Sequence, residues 1–222
     1  MARAEALCDA AVRRASGVVA LASCDGHVDV WEQKARKLSL QLEPPRKSEG
    51  PGETYVDLDR SGAHLAVAAP NGDGALYDTH GGGKLAAFGD PLFRGFCPTG
   101  ELYAVEEISG AAEVHRASDG QLVARLDEGS GREEAFGFSP DCSEVAVVRA
   151  DRALRLYDLV SKRVVATIYG PGGPDAELTN VAWRPDGKQI FLGMSPALVV
   201  GVDVAPEQRA AREVEGLLRA RR

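Results

Sequence analysis

Short apolar runs alternate with turn residues along most of the chain. The clearest example is VAWRPDGKQIFLGM, from Val181 to Met194, in which two apolar stretches flank a Pro-Asp-Gly segment. Proline fixes its own φ, aspartate bonds nearby backbone groups and glycine tolerates positive φ, so this segment predicts a tight turn between two β-strands.

The same strand–turn–strand unit occurs in four copies at a nearly constant spacing. The other three copies are VDLDRSGAHLAVAA from Val56, GFCPTGELYAVEEI from Gly95 and GFSPDCSEVAVVRA from Gly137. Their turn residues are 38, 42 and 45 residues apart, at Gly62, Gly100, Cys142 and Gly187. A period of about 40 to 45 residues is typical of propeller blades.

Two further signals share this period. One is a short run, the third strand of the unit, that ends in an aromatic or apolar residue followed by a polar one. The aromatic or apolar residues at this position are Trp31, Tyr77, His115, Tyr157 and Val202. The other is a run with β-propensity, seen as KLSLQL from Lys37, KLAAF from Lys84, QLVARL from Gln121 and RVVATI from Arg163. Together they predict four strands per unit, and such sheets must stack on one another to bury their apolar faces.

With VWE once and LYD twice at the end of the third strand, the chain resembles the WD-repeat β-propeller family over residues 10 to 204. The Gly-His dipeptide of that family is missing before the inner strands, and His115-Arg116 and Val202-Asp203 depart from the Trp-Asp pattern. The resemblance implies an all-β fold of four-stranded antiparallel blades and a buried polar network in each blade, whose turn aspartate is matched by Asp25, Asp73 and Asp151. It also implies a non-enzymatic scaffold for protein–protein interaction that is a subunit of a larger assembly.

The ends of the chain depart from the repeat. Residues 17–204 are the predicted propeller of four to five blades, and its last repeat stops at Val204 after a third strand. Residues 205–222 predict an amphipathic C-terminal helix. Residues 1–16 fit either an N-terminal helix, favoured by a stripe at Ala4, Leu7, Cys8 and Ala11, or a first inner strand. A small closed ring and an open arc, completed by a partner strand or partner chain or continued in a longer propeller, both fit this pattern.

Charge and cysteine content limit the kinds of partner and the cellular compartment that we expect. The formal net charge of −7 makes nucleic acid and anionic membranes poor partners. The four cysteines show no zinc-ligand spacing, so we expect buried thiols in a reducing compartment. The charged first 23 residues show no signal or membrane-spanning segment, and we expect a cytoplasmic protein, with the nucleus as the alternative.

No motif for catalysis, a metal or a cofactor stands out. The four histidines lack ligand spacing, and no nucleophile elbow or phosphate-binding loop occurs. A propeller hydrolase or lyase with a site in the central channel is the first alternative function. It needs acidic or histidine residues where inner strands begin, and Thr54, Phe93, Ala135 and Thr179 do not supply them. An incomplete arc with a purely structural role is the second alternative.

Two clusters are candidate partner-binding residues. One is an acidic cluster made of Asp127, Glu128, Glu133 and Glu134. It either forms an acidic lip that binds a basic peptide or is a loop that only keeps the surface hydrated. The other is the apolar stripe of the C-terminal helix, which either enters a groove on another subunit or folds back to seal the last blade, made of Val214, Leu217 and Leu218.

Overall fold

The computed structural model describes residues 6–43, 54–68, 74–89, 92–107, 110–126, 133–169, 177–195 and 198–205. In these ranges the chain forms 19 strands arranged in five sheets. The chain divides into two compact units, Met1–Arg125 and Leu126–Arg222.

The first unit contains three four-stranded antiparallel sheets, each with its strands in chain order from inner to outer. The first sheet is β1 (Leu7–Arg13), β2 (Val18–Ser23), β3 (Val28–Glu32) and β4 (Lys37–Leu42). The second sheet is β5 (Tyr55–Leu58), β6 (His64–Ala68), β7 (Gly74–Asp78) and β8 (Lys84–Gly89). The third sheet is β9 (Leu92–Phe96), β10 (Leu102–Glu106), β11 (Ala112–Arg116) and β12, whose span Leu122–Leu126 reaches the unit boundary.

The second unit contains the fourth and fifth sheets. The fourth sheet is β13 (Glu133–Phe138), β14 (Glu144–Arg149), β15 (Ala153–Asp158) and β16 (Arg163–Tyr169). The fifth sheet has three strands among the described residues, β17 (Glu177–Trp183), β18 (Gln189–Ser195) and β19 (Leu198–Asp203). The sequence predicts that the last repeat stops after its third strand, and residues 206–222, which would test this, lie outside the described residues.

The turn residues that mark the repeat adopt the backbone conformation that the sequence predicts. At each of them the backbone has positive φ and its N–H donates to the carbonyl three residues earlier, which closes a tight turn between the first two strands of a sheet. These residues are Gly62, Gly100, Cys142 and Gly187. Cys142, at φ 60°, does this without the freedom of glycine.

The acidic residue that ends a third strand has a local structural role. Asp78 accepts hydrogen bonds from the backbone N–H groups of His80 and Gly81 at 3.0 and 3.1 Å. Asp158 accepts one from Ser161 at 2.6 Å. The acidic position of the repeat therefore fixes the turn that leads into the outer strand.

Apolar side chains pack between neighbouring sheets within each unit. In the first unit one cluster joins the first and second sheets, with Val30, Leu58 and Leu65 completely buried, and another joins the second and third sheets around Leu76 and Tyr103. In the second unit the cluster joins the fourth and fifth sheets, and its completely buried members include Leu154, Leu156, Ile190 and Leu192. Stacked sheets thus supply the core, as the repeat predicted.

The predicted N-terminal helix is wrong. Leu7–Arg13 form β1, which pairs antiparallel with β2 from Leu7↔Ser23 to Arg13↔Val18. Ala11 is buried in the cluster between the first two sheets. A stripe of small residues in so short a segment fits both the helical period of about 3.6 residues and the strand period of two. The strand is favoured because pairing with β2 satisfies the backbone hydrogen bonds of this segment.

The fold class needs the same correction at the other end, because the described residues contain strands and turns and no helix. The C-terminal helix was predicted for residues 205–222, of which 206–222 lie outside the described residues. In the described part of the chain no helix is long and apolar enough to cross a membrane.

The cysteines also differ from the expectation of buried thiols. Cys8 of β1 and Cys24, just after β2, form a disulfide with their Cα atoms 5.0 Å apart. No described cysteine is a free thiol. Sixteen positions separate this pair in the sequence, so spacing could not identify it; pairing of β1 with β2 brings the two together.

Candidate binding surface

A cavity of about 260 Å³ opens in the first unit, where the inner strands of its sheets lie near one another. Strands β5, β6 and β9 supply most of its walls, and Asp9 of β1 supplies one more side. Its lining includes Asp9, Tyr55, Val56, Asp57, Leu92 and Arg94. A volume of this size accommodates a large apolar side chain or a small ligand.

Large apolar side chains stand at the start of all three inner strands of this unit. Leu7, Tyr55 and Leu92 begin β1, β5 and β9 and are 60, 58 and 48% exposed. Tyr55 and Leu92 also line the cavity. We call these three residues the apolar rim. Exposure is not limited to these strand starts, because Val12 of β1 is 45% exposed and the other positions of β9 are half-buried.

The charged groups of the cavity are engaged with the protein itself. Asp9 accepts a hydrogen bond from the backbone N–H of Val56 at 2.9 Å, which satisfies a donor on the free edge of β5. The Asp57 carboxylate accepts from the Arg13 guanidinium at 2.6 Å and from the N–H of Leu58 at 2.9 Å. Arg94 forms an ion pair with the buried Glu106.

Burial raises the pKa of Asp57 above its ordinary value, and the neighbouring positive charge of Arg13 opposes that rise. The Asp57 carboxylate therefore depends on Arg13, which reaches it from the first sheet. With its charges compensated in this way, the cavity offers a partner mainly the apolar surfaces of Tyr55, Leu92 and Val56.

A second cleft of about 400 Å³ contains Asp59, Ser61 and His64 at the turn between β5 and β6. Asp59 is buried, and its carboxylate accepts from the Ser61 hydroxyl at 2.6 Å and from the backbone N–H of His64 at 3.0 Å. Its Oδ2 also lies 3.2 Å from Nδ1 of His64. Burial acts to raise the pKa of Asp59, but the hydrogen bonds from His64 and Ser61 outweigh it and hold this pKa below the ordinary value.

This arrangement closes a turn and does not activate a nucleophile. The Ser61 hydroxyl donates to the carboxylate, whereas a hydrolase dyad needs it to donate to the imidazole. The equivalent turn of the fourth sheet is closed in the same way, because the Ser139 hydroxyl oxygen accepts from the N–H of Glu144 at 2.9 Å.

His27 lies between two carboxylates in the first sheet. Its Nδ1 is 2.7 Å from Asp25 and its Nε2 is 2.8 Å from Glu43, and the hydrogen bond with Asp25 is the main reason that the pKa of His27 is raised. Because the two carboxylates sit on different ring nitrogens, they do not converge on one ion. Within the described ranges no group of three or more His, Cys, Asp or Glu side chains is arranged to hold a metal.

The sequence-predicted binding residues fall almost entirely outside the described part of the chain. Asp127 and Glu128 lie outside it, and so do Val214, Leu217 and Leu218. Glu133 and Glu134 begin β13, but their side chains are not described. Both clusters therefore stay predictions.

Sequence reasoning missed the apolar rim. The repeat does predict the inner strands, and Thr54 and Phe93, which lack catalytic groups, are one position away from Tyr55 and Leu92. Exposure of an apolar residue at a strand end depends on what packs around it, which the period does not reveal. A comparison of strand starts across the repeats for large apolar residues would have found Tyr55 and Leu92.

No family model matches the chain. Among solved structures, it is similar to the β-propeller domain of Myceliophteria thermophila Cps50 (Swd1), with a TM-score of 0.66 and 13% sequence identity. The match covers 91% of this chain and 66% of that domain, so the chain spans just under two thirds of its length. At this identity the likeness concerns the fold. It confirms the predicted resemblance to a divergent WD-repeat β-propeller.

Proposed function

We propose that this chain is a non-enzymatic scaffold for protein–protein interaction and a subunit of a larger assembly. The observation that supports this proposal is the apolar rim beside a cavity whose charges are already paired within the protein. Strand ends held by stacked sheets are ordered before binding, so a partner pays little conformational entropy for using them.

The partner inserts an aliphatic or aromatic side chain into the cavity between Tyr55 and Leu92. Complete burial of such a side chain contributes about 1.5–3 kcal/mol, and exposed tyrosines are frequent anchors of interfaces. We expect proteins and not nucleic acids as partners, because a net charge of −7 opposes a phosphate backbone. Nor do we expect this surface to bind an anionic membrane, for the same reason.

The test replaces Leu92 by Asp in the full chain and quantifies the proteins that remain bound at near-equal stoichiometry in affinity purification. A buried carboxylate in an apolar contact is costly, so we expect at least about a tenfold loss of those partners. Val160→Asp is the matched control, since Val160 is 85% exposed on a turn of the fourth sheet. Equal recovery with both variants, at unchanged unfolding midpoints, would exclude the cavity as the binding surface.

A photo-crosslinking residue identifies the contact directly. Placed at Tyr55, it should label a defined region of the partner, while the same residue at Val160 should not. If Tyr55 labels nothing and the purified chain carries a bound small molecule instead, the scaffold proposal is wrong and a pocket for that molecule replaces it.

The cytoplasmic location, with the nucleus as its alternative, stays a prediction. The Cys8–Cys24 disulfide counts against it, because structural disulfides persist mainly in oxidising compartments.

A further inference from the structure

The turns at one end of the first sheet carry a cluster of exposed cations. Four basic residues lie in or next to the β1–β2 and β3–β4 turns and are exposed, namely Arg14, Lys34, Arg36 and Lys37. Glu32, the last residue of β3, is the exposed acidic residue beside them. Because the formal net charge of the whole chain is −7, this end of the sheet differs in sign from the molecule that carries it.

The two turns form one ordered surface. The backbone N–H of Gln33 donates to the carbonyl of Gly17 at 2.8 Å, which ties the β3–β4 turn to the β1–β2 turn. The side chain of Lys34 lies along the same contact, since a Cβ on Gly17 would come 3.9 Å from Cγ of Lys34. The cations of the two turns are therefore held next to each other before any partner binds.

The neighbouring turn of the second sheet extends this surface. A Cβ on Gly62 would come 2.6 Å from Oγ of Ser16, so the β5–β6 turn packs against the β1–β2 turn. Arg60 is exposed in that turn, between Asp59 and Ser61, which both line the second cleft. We call the following five residues the basic surface: Arg14, Lys34, Arg36, Lys37 and Arg60.

The charges of the basic surface are not used within the protein. Among the described residues, none of its five side chains has an ion-pair partner. Other arginines of the first unit are paired. Arg13 lies 2.6 Å from Asp57, and Arg116 lies 2.8 Å from Asp119. The cations of the basic surface thus stay available to a partner.

The turns that carry the basic surface are themselves described. Residues 14–17, 33–36 and 59–63 connect strands whose pairing is complete on both sides of each turn. In the first two sheets, the residues that border an undescribed segment lie at the opposite end of the strands, because neighbouring strands are antiparallel. The exposure of the basic surface is therefore a property of described turns.

We propose that the basic surface binds an acidic segment of a partner protein, with carboxylates along the turns of the first sheet and the segment continuing past Arg60 to the second cleft. The inference goes beyond the proposed binding at the apolar rim, which lies at the other end of the strands. A short acidic segment is favoured over a nucleic acid, because a long phosphate backbone would extend past these few cations onto a molecule whose remaining charge is negative.

The test measures binding of labelled peptides to the full chain by fluorescence anisotropy. The probe is the dipeptide Ser-Glu repeated four times, and the control is Ser-Gln repeated four times. We expect the acidic peptide to bind at least about tenfold more tightly at about 50 mM salt. The difference should shrink at about 0.5 M salt, because salt screens exposed charges.

Variants of the chain locate the site. Arg14→Glu combined with Lys34→Glu should lower the affinity for the acidic peptide at least about tenfold without lowering the unfolding midpoint, because both side chains are exposed. Arg14→Gln with Lys34→Gln should cause a smaller loss in the same direction. Arg60→Glu alone should weaken binding about threefold or more. The matched control is Lys162→Glu with Arg163→Glu, the same change of charge at the equivalent exposed turn of the fourth sheet.

The proposal is overturned if the wild type binds both peptides equally, or if the control variant loses as much affinity as Arg14→Glu with Lys34→Glu. Unchanged affinity in Arg60→Glu would overturn the path to the second cleft. Tighter binding of a single-stranded oligothymidylate, lost in the Arg14 and Lys34 variant, would overturn the proposal in favour of a nucleic acid. Self-association that this variant abolishes would overturn it in favour of a second copy of the chain.

These outcomes are distinguishable from those of the cavity test. Leu92 begins β9 and lies at the opposite end of the strands from the basic surface. Leu92→Asp should therefore leave binding of the acidic peptide unchanged. A loss of peptide binding in Leu92→Asp equal to that in the Arg14 and Lys34 variant would overturn the proposal of a separate basic surface.

Discussion

The fourth and fifth sheets begin alike but, among the described residues, end differently. Both have an inner strand, a turn with a positive-φ residue, and a second and third strand, and they share one apolar cluster. In the fourth sheet Leu154 packs in this cluster between the two sheets and is completely buried. In the fifth sheet the equivalent Val199 is 69% exposed. The same repeat position is thus core or surface according to the neighbour that covers it.

Truncation of the two equivalent side chains should give the largest difference. Leu154→Ala leaves a cavity in a packed cluster and should lower the free energy of unfolding by about 2–5 kcal/mol. Val199→Ala removes an exposed side chain and should change it by less than about 0.5 kcal/mol. Denaturant titration measures both; losses of equal size would show that Val199 is covered in solution and would end the comparison.

A smaller effect is expected where the two sheets meet. Gly137 of β13 lies against the fifth sheet, and a Cβ there would come 3.0 Å from Cγ1 of Val181 and 3.5 Å from the backbone oxygen of Val181. Gly137→Ala should therefore cost about 1–3 kcal/mol through overpacking. Gly201→Ala is the control, because its nearest atoms are ring carbons of Phe191 at 3.5 and 3.7 Å. A thermal midpoint unchanged by Gly137→Ala would show that the sheets separate readily.

The smallest expected effect is a dependence on pH at the turn of the fourth sheet. The hydrogen bond from the Ser139 hydroxyl is the main reason that the pKa of Asp141 lies below its ordinary value of 3.8. The contribution of Asp141 to stability is therefore complete above that value and is lost as the pH falls through the lowered pKa.

We expect the thermal midpoints of the wild type and Asp141→Asn to differ near neutral pH and to converge below about pH 4. Asp186→Asn makes the same substitution in the corresponding turn of the fifth sheet, where Asp186 accepts from the N–H of Lys188 at 3.0 Å. If the thermal midpoints of Asp141→Asn and the wild type diverged further in acid, the Asp141 carboxylate would not be the group whose charge stabilises this turn.

Much of the architecture could be predicted because it is written in local signals. The turn residues Gly62 and Gly187 require their backbone conformation regardless of the rest of the fold. The outer strands were found at Lys37 and Arg163, where the structure places β4 and β16. The first strand was predicted only as the alternative to a helix, because Leu7–Arg13 fits a helical stripe as well and a seven-residue window cannot separate the helical period from the strand period.

The candidate site could not be predicted in this way. Tyr55 and Leu92 are distant in sequence and meet at one cavity because stacked sheets bring β5 and β9 together. The Cys8–Cys24 pair follows in the same way from the pairing of β1 with β2. Neither depends on a spacing that a motif could encode.

The sequence by itself determined the repeat, the strand order within each sheet and the third strand as the last one before Val204, because turn chemistry and alternation act over a few residues. Tertiary structure alone decided which apolar residues are core and which form the apolar rim. It also decided that Cys8 is bonded to Cys24. Burial and cross-links are properties of what lies next to a residue, and that neighbour comes from a distant part of the chain.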